Sequence, residues 1–358
     1  MDVVKRWFQR YFSDPQVVIL VSIIVIASVV IYSVGNILAP VLTSLVVAYL
    51  LQGPIKVLER IGIPSFIALT FVYIIFLAVM IFVLAWLIPE LIFQQIPKFF
   101  KLVPDVIKEL TTWLEGIGAK YPGIISNKTI TTIIDKIDNA ITQLGGMILE
   151  SSWGSVKAVV SVAVFIVLVP MLVFFFLKDK QDIIDWVRSY FPKNIDLTST
   201  VWHDLNTQIG NYIRGKIFEI MVVWIATYIG FYLLDMPVPL LLAGMVGLSV
   251  LIPYIGAVVV TIPVVLIAYG NFHGFTPEFW WVIGVYAVIQ TIDGVVIVPL
   301  LFSEVVQLHP IAIVVAVLVF GGLWGFWGVF FAIPLASLVQ AILNAWPRKE
   351  AEPVAGTE

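Results

Sequence analysis

Long stretches without a charged residue are the feature that most constrains this chain. Five runs contain no Asp, Glu, Lys or Arg: 15–55, 61–89, 158–177, 236–277 and 305–347. A membrane-spanning helix needs about 20 mainly apolar residues, so three of these runs are long enough for two passes and two for one. Only 12% of the 358 residues are charged, against about 25% in soluble proteins, which excludes a soluble fold. The sequence predicts an all-α, polytopic integral membrane protein.

The apolar runs divide into six predicted spans and two broken segments. The spans are predicted near 16–34, 37–54, 64–88, 156–177, 217–234 and 279–300. Segments 237–270 and 309–346 are each interrupted in the middle, and each forms either two passes or a re-entrant hairpin. The chain therefore makes about eight passes, plus or including the broken hairpins, and ten is the upper count.

The basic residues set the predicted orientation, because Lys and Arg collect in cytoplasmic loops. Of the 20 basic residues, 13 fall on one side: Lys5, Arg6, Arg10, Lys56, Arg60, Lys178, Lys180, Arg188, Lys193, Arg214, Lys216, Arg348 and Lys349. The N- and C-termini are therefore predicted to be cytoplasmic, with the protein in the cell membrane. The first apolar run shows no small-x-small cleavage site, so we expect an uncleaved anchor.

Five regions follow from this division. They are the N-terminal transmembrane helices (1–88), an amphipathic extracytoplasmic helical segment (89–152), a transmembrane helix with a cytoplasmic interfacial segment (153–216), a transport core with the broken hairpins (217–347) and a cytoplasmic tail (348–358). Apolar residues recur at helical spacing in the second region. We interpret it as a helical hairpin that lies on the membrane or packs between protomers; the alternative is a lid or a partner-docking arm.

The interval from Ile217 to Pro347 has no basic residue but contains five carboxylates: Glu219, Asp235, Glu278, Asp293 and Glu304. An ionised side chain at the bilayer centre costs about 2.5–3.5 kcal/mol on the lower scales, so it is a functional candidate by default. Because this interval offers no basic partner, its carboxylates must be hydrated, protonated or paired with a mobile cation.

Asp293 is the first candidate for an ion-binding residue. It lies about fourteen residues inside the helix predicted to start near Phe279, next to Gln290 and Thr291. A carboxylate at this depth can exchange a proton against another cation; the alternative is a protonated acid that bonds a neighbouring helix. Glu219 is the second candidate, with the alternative that it reaches the cytoplasmic interface one turn beyond Lys216.

An internal repeat is also present. Pro239 and Pro263 are separated by 24 positions, as are Pro310 and Pro334. The spans that precede the two segments run in opposite directions under the predicted orientation, which predicts an inverted repeat with two broken hairpins and a site near mid-membrane. The predicted breaks and hinges are Pro253, Gly256, Gly294, Pro299, Pro310, Gly321, Gly322, Gly325 and Gly328.

Several function classes are excluded. The net charge of −3 argues against nucleic acid as a partner. The segment 210–217 approaches a phosphate-binding loop, but Ile217 replaces the hydroxyl that would bind magnesium, so ATP is not expected. The chain has no cysteine, and its three histidines have no metal-ligand spacing. No catalytic constellation and no cofactor are predicted, so the protein is not expected to be an enzyme.

Five motifs resemble the autoinducer-2 exporter family, also called the PerM-like permeases, over most of the chain and most specifically over its last 150 residues. They are Tyr212-Ile213-Arg214-Gly215, Leu251-Ile252-Pro253-Tyr254-Ile255-Gly256, Gln290-Thr291-Ile292-Asp293-Gly294 leading to Val298-Pro299, Leu308-His309-Pro310, and Gly325 to Pro334. The family often has Glu at Asp293 and Asn at Val295. In this chain Asp293 keeps the carboxylate charge, whereas Val295 lacks the amide group of Asn.

The resemblance implies a secondary transporter. Members are associated with export of autoinducer-2 or with sodium/proton antiport, and the resemblance also implies a homo-oligomer. We therefore expect a permease that moves a small solute by alternating access, coupled to protons or sodium. The alternatives are a dedicated sodium/proton antiporter and a non-transporting membrane scaffold that binds partners through residues 89–150.

Overall fold

The computed structural model describes residues 15–120, 132, 139, 156–190, 196–302 and 309–345, and its regular elements in these ranges are all helical, which confirms the predicted class. The tail 348–358 lies outside the described residues. The α-helices are α1 (Pro15–Arg60), α2 (Ser65–Phe82), α3 (Ile96–Lys120), α4 (Val156–Lys178), α5 (Lys180–Ser189), α6 (Asp196–Leu233), α7 (Pro239–Ser249), α8 (Ile255–Asn271), α9 (Pro277–Ile292), α10 (Val298–Phe302), α11 (Pro310–Phe330) and α12 (Ala332–Ala345). Three π-helices are interposed: π1 (Val83–Leu87), π2 (Glu90–Gln95) and π3 (Asp293–Ile297).

Six helices in the described part of the chain are long and apolar enough to cross a membrane: Ile37–Arg60, Ser65–Gly116, Ser161–Lys178, Ile209–Leu233, Pro277–Leu301 and Pro310–Phe330. Their apolar side chains are largely exposed, as α2 illustrates. It buries Ala68 and Val72 but exposes Phe66 and Ile74 by more than half. Such continuous apolar surface is typical of helices that face lipid. The structure confirms a polytopic helical membrane protein, while the number of passes stays a prediction.

The first two predicted spans form one helix. α1 continues through Gly35 and Asn36, so the expected boundary between 16–34 and 37–54 is wrong. The physical reason is that Gly costs a helix interior only about 1 kcal/mol relative to Ala, which neighbouring apolar helix formers offset. At 1.5 Å per residue, the 46 residues of α1 extend about 70 Å, more than twice the hydrocarbon thickness.

The helix that contains the span predicted near 217–234 is longer than that span. α6 begins at Asp196 and continues to Leu233, a length of 38 residues. Lys216 therefore lies inside a helix and not at the junction of a cytoplasmic loop with a membrane span. Because α6 includes both residues, Lys216 and Glu219 lie on one helix.

The chain divides into two compact units. One comprises residues 40–179 and 214–301, and the other 1–39, 180–213 and 302–358. The first unit has a core to which α6, α7, α8 and α9 contribute. Its largest fully buried apolar side chains include Val223, Phe231, Val238, Leu242, Val246, Val264 and Val282.

The amphipathic helix α3 packs against this core. Val106 of α3 is buried, and a Cβ added to Gly270 of α8 would overlap its side chain. The Trp113 ring lies 6.4 Å from the Tyr269 ring. The apolar face of α3 thus packs in part against the protein's own helix α8, while Trp113 stays 38% exposed. The rest of the predicted extracytoplasmic segment lies mostly outside the described residues.

The first broken segment is a helical hairpin, which we call hairpin A (residues 239–271). Its first helix, α7, has 11 residues and is about 16 Å long, too short to cross a hydrocarbon core of about 30 Å. The chain turns between Val250 and Tyr254, and Tyr254 adopts a left-handed conformation with φ of 64°. A Cβ on Gly256 would overlap the carbonyl oxygen of Ser249, so glycine is required for the two helices to approach.

The second broken segment, hairpin B (residues 310–345), belongs to the other unit. α11 is kinked at Gly325, whose φ is 59°. A Cβ on Gly328 would overlap the Phe320 carbonyl oxygen. Pro334 has no N–H to donate to the Phe330 carbonyl four residues earlier, and the hydroxyl of Tyr212 donates to that oxygen instead, at 3.0 Å. The described turn is therefore buried without leaving this carbonyl unpaired.

The two hairpins repeat the same local features 71 positions apart. Each begins with a proline in the first helical turn, Pro239 or Pro310. Each has a left-handed residue at its turn, Tyr254 or Gly325, again 71 positions apart. In each hairpin the two helices meet at a glycine. Gly256 lies against the backbone of Ser249, and Gly328 lies against the backbone of Phe320, 71 positions after Ser249. The two hairpins thus share a positive φ at equivalent positions, with different ψ angles of −48° at Tyr254 and −135° at Gly325.

Candidate functional site

Asp293 lies where a helix changes its hydrogen-bonding pattern. α9 ends at Ile292, and Asp293 is the first residue of π3, in which the turn is one residue wider than in an α-helix. Single π-turns of this kind occur frequently at functional sites. Asp293 is 8% exposed, so its carboxylate is buried, as its depth in the sequence predicted.

A second pair of charges is buried on α6. The ammonium of Lys216 lies 2.7 Å from Oε2 of Glu219, three residues later and on the same helix face. The two residues are 3% and 1% exposed. The expectation that Glu219 reaches the cytoplasmic interface is therefore wrong, because Lys216 is available to neutralise it inside the protein. Removing two charges from water costs several kcal/mol each, so such a pair is retained only where its geometry or its function compensates.

Asp293 belongs to the same electrostatic cluster. Its charge interacts with that of Lys216, and Glu219 interacts in turn with Asp293. α6 and α9 approach closely, since a Cβ on Gly230 would lie 2.8 Å from the Val285 side chain. For Glu219, the interpretation that the carboxylates of this region have no basic partner is therefore wrong: Lys216, one position before the interval, supplies it.

The cluster touches the turn of hairpin A. Val250 follows the last residue of α7, where helix carbonyls lose their intrahelical partners. The ammonium of Lys216 donates a hydrogen bond to the Val250 carbonyl oxygen at 3.1 Å. A charged side chain of α6 thus holds the backbone of the turn and a carboxylate at the same time.

The formal charge of the cluster is −1, from one ammonium and two carboxylates. Oδ1 of Asp293 has no hydrogen-bond partner among the described residues, although it is buried, and the same is true of Nε2 of Gln290. Thr227, fully buried on α6, likewise has a hydroxyl without a partner in the described ranges. A buried carboxylate that no cation neutralises can accept one proton or one monovalent cation.

The other predicted site residues are not all brought to this cluster. Thr291 is exposed, and its hydroxyl donates to the carbonyl of Ala287 on its own helix at 2.7 Å. Gly294 has open space around it, and Pro299 lies in α10. The predicted breaks Pro253 and Gly256 lie at the turn of hairpin A, beside the carbonyl that Lys216 binds.

The predicted breaks of hairpin B have different roles. Pro310 occupies the first turn of α11, Gly325 is the kink, and Gly328 closes the hairpin. A Cβ on Gly321 would lie 2.8 Å from the Val329 side chain, whereas one on Gly322 would meet no atom within 4 Å. Gly322 is thus not needed for packing within the described chain.

Lys216 is the functional candidate that sequence reasoning missed. The signal was its spacing of three residues from Glu219, which places both side chains on one helix face if the helix includes both. No group of three His, Cys, Asp or Glu residues in the described ranges is arranged to hold a metal ion.

A separate cavity of about 520 Å³ lies between α3 and the ends of hairpin A. Its polar lining includes Asp105, Lys108 and Asn271. At its edge Nδ1 of His273 lies 2.7 Å from Oε1 of Glu109, an exposed pair that links α3 to the loop after α8. Exposed pairs contribute about 0–1 kcal/mol, so this contact adds little to the packing of α3.

Comparison with known proteins gives a consistent result. The model of the family described as "AI-2E family transporter" matches residues 18–348. "Putative permease PerM" of Escherichia coli (strain K12) is 41% identical over 347 residues, which cover 97% of this chain and 98% of that protein. "Putative transport protein YueF" of Bacillus subtilis (strain 168) is 22% identical over 344 residues, 92% of each chain.

Proposed function

Because this chain belongs to the AI-2E transporter family, it is a membrane transporter and not an enzyme, and we propose that it is a secondary-active permease for a small solute. In this proposal, a proton or a sodium ion drives transport by alternating access. The protein lies in the cell membrane with both termini cytoplasmic. We also propose that it forms a homo-oligomer, as the family resemblance implies.

The buried carboxylate of Asp293 is the observation that carries the proposal. Its charge acts on that of the paired Lys216, so these three groups together have one negative charge in excess. A charge that stays unpaired inside a membrane protein is energetically unfavourable. If a cation neutralises this charge once in each transport cycle, the free energy of burying the charge is linked to the binding of that cation. One neutralising cation, or one proton, per cycle follows from this charge.

The broken hairpins supply the second argument. Hairpin A places unwound backbone between Val250 and Tyr254, next to the charged cluster. Transporters built from inverted repeats place their sites at such discontinuous helices, and the two repeats exchange conformations during transport. The features shared by hairpins A and B favour an internal repeat, and its inversion rests on the predicted orientation of the spans.

Flux in proteoliposomes tests the proposal. Purified protein is reconstituted with an internal pH dye, and proton flux is recorded with and without a sodium gradient. We expect Asp293→Asn to reduce coupled flux at least tenfold, because the substitution removes the charge that the cation neutralises. Glu278→Gln is the matched control: it neutralises an exposed carboxylate on the same helix α9 and is expected to retain wild-type flux.

Flux that responds neither to sodium nor to Asp293→Asn would contradict the proposed coupling. Cation-dependent flux in the absence of any added solute would instead favour the dedicated sodium/proton antiporter, which the same carboxylate cluster also suits. The scaffold alternative has less support, since part of the apolar face of α3 packs against α8 of the same chain.

A further inference from the structure

Building on the proposed function, we infer that the ammonium of Lys216 is an internal competitor of the transported cation. In the structure it occupies the place of a cation at Glu219. When a proton or a sodium ion binds Glu219 in its place, the ammonium of Lys216 turns to the remaining carboxylate, that of Asp293, and releases the turn of hairpin A. Lys216 is thus a positioning residue that converts the charge state of the site into a movement of backbone.

The contacts of Lys216 support this inference directly. Its ammonium is 2.7 Å from Oε2 of Glu219 and 3.1 Å from the carbonyl oxygen of Val250. The Lys216 side chain is 4% exposed, so water contributes little to its hydration. The ammonium remains at the Val250 carbonyl only while a carboxylate compensates its charge, because an unpaired buried ammonium is strongly unfavourable.

The charges around Lys216 come from two elements. Glu219 lies on α6 itself, and Asp293 lies on π3 and interacts with Lys216 through space. The turn of hairpin A contributes an uncharged carbonyl. Adding one positive charge to the two carboxylates reduces the net charge of the cluster from −1 to zero. The ammonium then competes with the added cation for the same oxygens.

The turn is suited to respond. Within the turn, the Ile252 amide donates a hydrogen bond to the Ser249 carbonyl at 3.1 Å, and the Gly256 amide donates one to the Ile252 carbonyl at 2.9 Å. Tyr254, in a left-handed conformation, is an energetically unfavourable position for a non-glycine residue and needs support from its surroundings. Loss of the Lys216 bond removes part of that support.

Hydrogen exchange of the turn measures this release without requiring a transported solute. Full-length protein in detergent micelles is compared in potassium, in sodium at equal ionic strength, and at lower pH, with rates corrected for the intrinsic pH dependence of exchange. We expect sodium, acid or both to accelerate exchange of residues 250–256 roughly tenfold, the effect of losing one charge-assisted hydrogen bond. Peptides from α2 should not change.

Four variants separate this role from a purely structural one. Lys216→Gln should exchange fast in every condition, and Lys216→Arg should restore the cation-dependent change because it keeps the charge. Asp293→Asn should abolish the response to cations, whereas Glu278→Gln should respond as the wild type does. If Lys216→Gln does not fold, the comparison of Lys216→Arg and Asp293→Asn with the wild type still tests the inference.

Two results would overturn the inference. One is a wild-type turn whose exchange is the same in potassium, in sodium and in acid. The other is an undiminished cation response in Lys216→Gln. A cation-responsive turn in a protein that shows no flux would refute the proposed function and leave the competition by Lys216 standing. Coupled flux in a protein whose turn exchanges at the same rate in every condition would refute the competition by Lys216 and leave the proposed function standing.

Discussion

Gly256 provides the most direct test of hairpin A. A Cβ at this position would overlap the Ser249 carbonyl oxygen and lie 2.6 Å from the Ser249 carbonyl carbon. Ordinary contacts between carbon atoms are about 3.5–4.0 Å, so Gly256→Ala requires the backbones of α7 and α8 to separate by about 1 Å or more. The packed core on both helices cannot yield without loss of contacts.

The expected cost follows from this displacement. Overpacking a well-packed core by one methyl group typically costs about 1–3 kcal/mol, and contact with rigid backbone places this site at the upper end. The better helix propensity of Ala recovers at most about 1 kcal/mol. We therefore expect Gly256→Ala to lower the free energy of unfolding by about 2 kcal/mol and to reduce transport, because the strained turn carries the Val250 carbonyl that Lys216 binds.

Gly284→Ala is the matched control. Gly284 lies inside α9, and an added Cβ would meet no atom within 4 Å. This variant is expected to be as stable as the wild type or up to about 1 kcal/mol more stable. Both are compared by reversible unfolding in mixed micelles, followed by tryptophan fluorescence. Equal stability of the two variants, within about 0.5 kcal/mol, would refute the claim that hairpin A closes on Gly256.

Two further outcomes are expected in the same unfolding assay. Lys216→Met should cost about 3–5 kcal/mol because it leaves Glu219 buried without its partner, whereas Lys216→Met combined with Glu219→Leu should recover most of that loss while coupled flux stays absent. A double variant as unstable as the single one would contradict this. Tyr212→Phe should cost about 1–3 kcal/mol, since the Phe330 carbonyl loses the hydroxyl that replaces the missing N–H of Pro334; an unchanged stability would show that this carbonyl finds another partner.

The class of the protein and both broken hairpins were predictable from the sequence because they depend on local rules. Runs without charge exceed the length of a span, and Pro or Gly interrupts a helix through its own backbone chemistry. The structure accordingly turns at Tyr254 and kinks at Gly325, inside the two predicted segments. Gly35 shows the limit of the same rules, since one glycine does not end a helix that its neighbours favour.

Tertiary packing was harder to predict from the sequence. The helical spacing of α3 correctly indicated an apolar face, but an amphipathic helix has the same pattern whether it packs on lipid, on a second protomer or on its own chain. The sequence gives no sign that Gly270 of α8 receives Val106. Such contacts join residues far apart in the chain, and a single sequence shows no pairing between them.

The burial of Lys216 was not predicted, and the reason is physical. Counting charges by loop assigns every Lys to a side of the membrane, yet a Lys inside a helix can be retained in the protein by a carboxylate one turn away. Removing Lys216 from the 13 basic residues on the predicted cytoplasmic side leaves 12 of 20, so the predicted orientation does not depend on it. The predicted chemistry does depend on it, because a site with two carboxylates and a resident ammonium admits one cation where two carboxylates alone would admit two.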